Sequence, residues 1–203
     1  MIRVPDWLPY DVSRETLEKL HAYSALIHKW NPRINLVARS TLQDLEDRHI
    51  WDSAQVYIDR DGGWVDFGSG GGLPGVVVAI LADGFGDDLS VTLVESDQRK
   101  AAFLRTCARE LEIPMKVIAS RVESIAALNA YTISARALAP LDMLLGFADH
   151  HLAADGLCVF QKGEQWRREI ADAERNWRFS YEVMHSKTKS EAVVLQIKDI
   201  QRV

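Results

Sequence analysis

Val65-Asp66-Phe67-Gly68-Ser69-Gly70-Gly71-Gly72-Leu73-Pro74-Gly75 reads as a strand ending in a carboxylate, then a glycine-rich turn, then the start of a helix. Five glycines between positions 68 and 75 are entropically costly, and chains keep them where the backbone must take positive φ or let a ligand approach closely. Pro74 suits the first turn of the helix, where its missing N–H costs nothing. Gly70 to Gly75 also satisfies the loose dinucleotide pattern G-x-G-x-x-G. A pyrophosphate would sit on the helix N-terminus, where Asp66 is a poor neighbour for negative charge. S-adenosylmethionine instead carries an ammonium and a sulfonium, which a carboxylate at the strand end attracts directly or through water. The order Asp-x-Gly-x-Gly therefore favours this methyl donor, with Asp66 and Gly70 among its expected contacts.

Downstream of this loop, Val91–Val94, Met115–Ile118, Tyr131–Ser134 and Leu157–Phe160 are further short strand-like runs, separated by helical or turn-rich stretches. Such alternation predicts a parallel sheet with helices on both faces. A charged helix over Glu164–Asn176 then leads to Phe179–Val183 and Ala192–Ile197, which read as a hairpin. The alternating part closed by an antiparallel pair resembles the seven-stranded sheet of Rossmann-like class I methyltransferases. Upstream, Leu17, Leu20, Ile27 and Trp30 recur at the helical interval, predicting a helix over Ser13–Trp30 stopped by Asn31-Pro32. A second helix is expected from a cap at Ser40 or Thr41 to the turn at Asp59–Gly63. The fold class is α/β, in one domain: residues 1–62 a helical extension, residues 63–203 the Rossmann-like core.

Two further segments fall where a donor site needs them. Val94-Glu95-Ser96-Asp97 ends the next strand at about the ~20 residues beyond the loop where an acid accepts from ribose hydroxyls. Glu95 is the candidate; a surface acid beside an Asp97 helix cap is the alternative. Ser120-Arg121-Val122-Glu123 follows the third strand, where backbone groups of Val122 and Glu123 can read an adenine edge, or Ser120 and Glu123 can form a capping box.

Composition narrows the function classes. The formal net charge of −5 gives no general attraction for nucleic acid. Its distribution is uneven: no acid occurs between Lys19 and Gln43, and Arg99, Lys100, Arg105 and Arg109 crowd a second segment, either as basic surface or as solvated helix faces. Cys107 and Cys158 lack paired spacing, so neither a disulfide framework nor a zinc site is expected. The run Leu73–Ala82 is about half of the ~20 residues that cross a bilayer, and the start Met1–Trp7 lacks the pattern of a signal peptide. A cytoplasmic protein with no metal and no membrane partner is expected.

Asn31-Pro32-Arg33-Ile34-Asn35-Leu36, Arg48-His49-Ile50-Trp51-Asp52-Ser53, Asp66–Gly75, Ser134-Ala135-Arg136-Ala137-Leu138-Ala139-Pro140 and Lys162-Gly163 together resemble the RsmG family, also called glucose-inhibited division protein B. The resemblance runs from about residue 31 to 163; beyond Gly163 no motif matches. It implies S-adenosylmethionine-dependent methylation of nitrogen 7 of the guanine at position 527 of 16S ribosomal RNA, with the small ribosomal subunit as partner. Carried over by motif, donor contacts fall on Gly68, Leu73, Val122, Glu123 and Arg136. Gly71 and Leu73 stand where members often have alanine and phenylalanine. A small-molecule methyltransferase or a non-catalytic RNA-binding assembly protein would share parts of this pattern.

Nitrogen 7 carries an exposed lone pair in neutral guanine, so no general base is required and the site needs alignment and exclusion of water. Arg136 is then expected to position, on either the donor carboxylate or the guanine, rather than to transfer protons. On the substrate side Asn35, Arg48, His49 and Lys162 are the candidates. Plainer readings stand beside them: a turn asparagine at Asn35, an Arg48–Asp52 pair supporting the helix that carries Arg48 and His49, and a solvated lysine at Lys162.

Overall fold

The computed structural model describes residues 4–203; Met1–Arg3, part of the segment read above as lacking a signal-peptide pattern, lie outside the described residues. Seven strands form one sheet: β1 Gly62–Phe67, β2 Leu89–Val94, β3 Met115–Ile118, β4 Ala130–Arg136, β5 Leu152–Lys162, β6 Trp177–His185 and β7 Val193–Arg202. Their order is β3-β2-β1-β4-β5-β7-β6. β3, β2, β1, β4 and β5 pair in parallel, and β7 runs antiparallel to both β5 and β6. All seven runs read as strands from their β-branched and apolar residues are strands.

The helices are α1 Arg14–Ile34, α2 Asp52–Ala54, α3 Gly75–Phe85, α4 Gln98–Glu110, α5 Leu141–His151 and α6 Trp166–Ala173. α3 is apolar all round, and Val76–Ala82 are buried because α3 lies between the sheet and α1. One core, with Leu20, Tyr23, Ile27, Trp51 and Trp64, fills that face. The second, with Phe67, Ile133, Leu144, Phe160 and Trp177, lies under α5 and α6.

The chain reverses order between β1 and β4, so the loops after them part and leave a crevice at the carboxyl ends of the strands. Register sets what lines it. Phe67 pairs with Val94 and with Ala135, so the loop after β1, Glu95 and Arg136 emerge side by side; Arg136 in turn pairs with Gln161.

Several helical expectations are corrected. α1 continues through Pro32 and ends at Asn35, whose φ of 50° is left-handed and whose amide donates to the Asn31 carbonyl. The proline removes one bond only in the last turn, and Asn31 stays helical because its buried Oδ1 accepts from the Val37 amide at 2.8 Å. The expected second helix is instead a 3₁₀ turn at Arg39–Thr41, a π-helix at Glu46–Trp51 and the short α2. Pro74 precedes α3 rather than sitting inside it, and α6 is shorter than Glu164–Asn176. No side chain caps the 3₁₀ turn Val122–Ser124, so the capping box at Ser120 and Glu123 is not formed.

Candidate active site

β1 delivers Asp66 to the edge of the crevice with its side chain turned beneath the glycine loop. Its Oδ1 accepts from the Ser134 hydroxyl at 2.7 Å and its Oδ2 from the Gly75 amide at 3.3 Å. Trp64, two residues earlier on the same face, donates its Nε1–H to Ser134 Oγ at 2.9 Å. Asp66 is fully buried, and burial, partly offset by these donors, pushes its carboxyl up to about 6. A direct grip on a ligand is therefore closed to it here, and its charge acts from under the loop. Gly75 lets α3 approach this closely: a Cβ there would meet the Leu93 side chain and lie 2.8 Å from Asp66 Cβ.

Glu95 holds the loop from the other side. Its Oε2 accepts from the Gly70 amide and its Oε1 from the Asp97 amide, both at 2.7 Å. Glu95 is nearly buried, while Asp97 caps α4 through the Arg99 and Lys100 amides. Each Glu95 oxygen keeps a second lone pair for an incoming hydroxyl. From outside, the fully buried Tyr23 of α1 donates its hydroxyl to the Gly71 carbonyl at 2.6 Å, and Leu36 packs over the same glycine. Leu73 buries its side chain in the α3-side core, so any part it takes in binding falls to its backbone.

Between this loop and the Val122 turn lies an open cleft lined by Gly68, Val94, Ser96, Val122, Leu138 and Phe147. Its largely apolar walls suit a small ligand with a flat, apolar part. Gly68, at φ 61°, lets Leu138 lean in; a Cβ would lie 3.1 Å from Leu138 Cγ. The Val122 carbonyl accepts from His151 Nε2–H at 3.0 Å, which engages one of its two lone pairs. Glu123 is exposed, 3.8 Å from Arg121.

Arg136 ends β4 and faces a different set of groups. Its Nη1 lies 3.1 Å from His49 Nδ1 and 3.5 Å from Asp52 Oδ2. The hydrogen-bond network assigns the His49 tautomer: the Thr41 hydroxyl donates to the Ala38 carbonyl at 2.8 Å, so Thr41 Oγ1 accepts from His49 Nε2–H at 2.8 Å, leaving Nδ1 to accept from Arg136. Burial and then the Arg136 charge hold His49 down to about 4, so it is neutral at pH 7. Asp52 Oδ2 accepts from Gln161 Nε2 at 2.7 Å, and its Oδ1 accepts from Gln55 Nε2 and the Thr188 hydroxyl, each at 2.7 Å. Arg136 Nη2 and Nε have no hydrogen-bond partner among the described residues. Arg136 lines a cleft together with Thr41, Arg48, His49, Thr188 and Lys189.

The other substrate-side candidates are placed differently. Asn35 is the left-handed end of α1. Arg48 lines the cleft but reaches back to Asp44 at 3.7 Å, so the Arg48–Asp52 helix pair is not formed. The extra residue per turn of the π-helix separates them, freeing Asp52 for Arg136. Lys162 is neither solvated nor free: it is buried, its Nζ 2.7 Å from Glu169 Oε2 and 2.9 Å from the Ala139 carbonyl. Sequence reasoning missed Gln55, Gln161, Ser186, Thr188 and Lys189, because none stands in a recognisable motif.

Among the described residues no cluster of three metal-ligating side chains occurs, and no helix is long and apolar enough to cross a membrane. Both cysteines are buried, which raises their thiol pKa values.

Residues 16–197 match the sequence model of the GidB family, described as rRNA small subunit methyltransferase G. The chain belongs to this family. Ribosomal RNA small subunit methyltransferase G of Ruegeria sp. strain TM1040 is 50% identical over 198 residues, 97% of each chain. Its counterpart in Ruegeria pomeroyi is 50% identical over 202 residues, 98% of this chain and 99% of that one. In fold, the chain is similar to a TehB-like SAM-dependent methyltransferase from Corynebacterium glutamicum, with a TM-score of 0.58 at 16% identity, covering 88% of this chain and 98% of that one. M. jannaschii TYW2, solved in complex with AdoMet, aligns with a TM-score of 0.55 at 13% identity over 82% of this chain and 78% of that one. This GidB-family member is thus a methyltransferase with the fold read from its glycine loop and closing hairpin.

Proposed function

We propose that this chain transfers a methyl group from S-adenosylmethionine to nitrogen 7 of the guanine at position 527 of 16S ribosomal RNA. The observation that carries the reading is the presence, at the carboxyl ends of the strands, of two clefts: one next to Glu95 lined by Gly68, Val122, Leu138 and Phe147, and one lined by the charged and polar side chains of Arg48, His49, Asp52, Arg136 and Lys189. The first fits an adenosyl group, since Glu95 keeps lone pairs for ribose hydroxyls and Val122 and Leu138 flank a space for a flat ring. The donor, when bound, supplies an activated methyl on a sulfonium.

The residues around it bind and orient. Asp66 places its buried carboxyl under the loop that would face the cationic methionine portion, and Gly70 is pinned to Glu95 so that the loop is set before binding. Arg136, with Nη1 tied to His49 and Asp52, keeps Nη2 and Nε for the donor carboxylate, guanine oxygen 6 or a phosphate. It has to leave nitrogen 7 unblocked, unlike an arginine reading both guanine acceptors. His49, neutral and accepting from Arg136, fixes the guanidinium plane and abstracts no proton, because the attacking lone pair carries none. Residues 1–62 and 63–203 act as the helical extension and core of one domain, which the packing of α1 on α3 supports, and the enzyme works in the cytoplasm on the small ribosomal subunit.

The test is transfer of labelled methyl from S-adenosylmethionine to 16S RNA lacking this modification, naked and in particles, with mapping of the modified base. Label on nitrogen 7 of one guanine is the expected result. Donor binding without RNA label would overturn it.

A further inference from the structure

The turn between β6 and β7 carries no motif, yet several of its side chains are built into the polar cleft. Ser186 and Thr188 turn inward, and the Thr188 hydroxyl donates to Asp52 Oδ1 at 2.7 Å while Ser186 Oγ lies 3.4 Å from the same atom. Gln55 clasps the turn twice, its Oε1 accepting from the Lys187 amide at 3.0 Å and its Nε2 donating to Ser186 Oγ at 3.2 Å. Ser186 Oγ also accepts from the amides of Thr188 and Lys189, both at 3.2 Å. Alternation then leaves Lys187 and Lys189 exposed, with no ion pair to either among the described residues. Lys189 lines the same cleft as Arg48, His49 and Arg136. Glu191 is the acid that senses Lys189, and it too is exposed.

We infer that the Ser186–Lys189 turn is an RNA-phosphate contact site of the enzyme, with Lys187 and Lys189 as its cations and Asp52 as the positioning residue that aligns it with Arg136. This rests on the methyl-transfer reading above. The turn already closes on its own backbone, the Ser186 amide donating to the Ala192 carbonyl at 3.0 Å and the Ala192 amide to the Lys189 carbonyl at 3.1 Å, so the carboxylate it shares with Arg136 and Gln161 is a tie beyond what the turn itself needs. Sharing Asp52 makes the lysine positions and the Arg136 plane depend on one another. A polyanion backbone entering the cleft would meet Arg48, Arg136 and Lys189, which line it together. The partner fitted by two exposed lysines on a fixed turn is a phosphodiester chain, to which lysine is a point charge rather than a reader of sequence.

The experiment compares wild type, the double variant Lys187→Ala with Lys189→Ala, Thr188→Val and Thr188→Ser. It measures methyl transfer to 16S RNA, RNA affinity at several salt concentrations, and S-adenosylmethionine affinity. The double variant is expected to raise the RNA KM about tenfold, to flatten the salt dependence of RNA affinity by roughly one to two phosphate contacts, and to leave donor affinity unchanged. Thr188→Val should raise the RNA KM severalfold with donor affinity unchanged, and Thr188→Ser, which keeps the hydroxyl on Asp52, should hold the wild-type RNA KM; a merely structural role would lower stability and donor affinity alike. Wild-type RNA KM and salt slope in the double variant would overturn the inference while leaving the proposed function standing. Absence of RNA binding and transfer by wild type itself would overturn both.

Discussion

Replacing Asp66 by asparagine should make the enzyme's stability less dependent on pH, and the size of the effect follows from its surroundings. The carboxylate is fully buried, with a hydroxyl and an amide as partners rather than a cation in contact, and its carboxyl is raised from 3.8 to about 6. A folded-state value above the unfolded one means that the native state binds the proton first, so this group's contribution to stability rises as pH falls through 6 and is complete below 3.8. At neutral pH the ionised carboxylate costs the fold about 3 kcal/mol, from a shift of roughly two units at about 1.4 kcal/mol each. Between about pH 7.5 and pH 5 linkage gives a gain of about 1.4 kcal/mol from Asp66 alone. An asparagine side chain does not titrate, so Asp66→Asn should lack this gain. The assay is urea unfolding of both proteins from about pH 5 to pH 8. Parallel curves across that range would refute the assignment of an unpaired buried charge.

Other perturbations separate the parts of the site. Tyr23→Phe removes only the hydroxyl on the Gly71 carbonyl and should weaken S-adenosylmethionine binding about fivefold, the equivalent of one hydrogen bond, by calorimetry. Glu95→Gln puts an amide where two backbone N–H groups need acceptors, so donor affinity should fall by more than about tenfold while RNA affinity holds. Lys162→Met should lower stability by about 1–3 kcal/mol in denaturant unfolding by leaving Glu169 without its cation, yet leave the RNA KM unchanged.

The sheet was legible because its signal is local. Val91–Val94 or Leu157–Phe160 are apolar, β-branched or aromatic runs bounded by turns, and parallel burial on both faces leaves no other use for them. The loop at Asp66–Gly75 was legible for the same reason, since its glycines have few alternative explanations. What escaped depends on tertiary partners. Nothing in Glu46–Trp51 announces a π-helix; the extra residue is held by packing Ile50 and Trp51 into the core while Asp52 turns to Arg136. Lys162 reads as solvated because its partner, Glu169, belongs to a helix whose docking cannot be read from spacing. Thr188 lies 136 residues from the carboxylate it binds, and no sequence period connects them.

The central claim is that Arg136, braced by His49 and Asp52, aligns a guanine with the methyl donor. It is tested most directly by single-turnover transfer to 16S RNA at saturating donor, comparing wild type with Arg136→Ala and mapping the product. The expected result is label on nitrogen 7 of one guanine in wild type and a rate at least about a hundredfold lower in the variant, a loss of roughly 3 kcal/mol of transition-state stabilisation. Equal rates, or label on another atom, would contradict it.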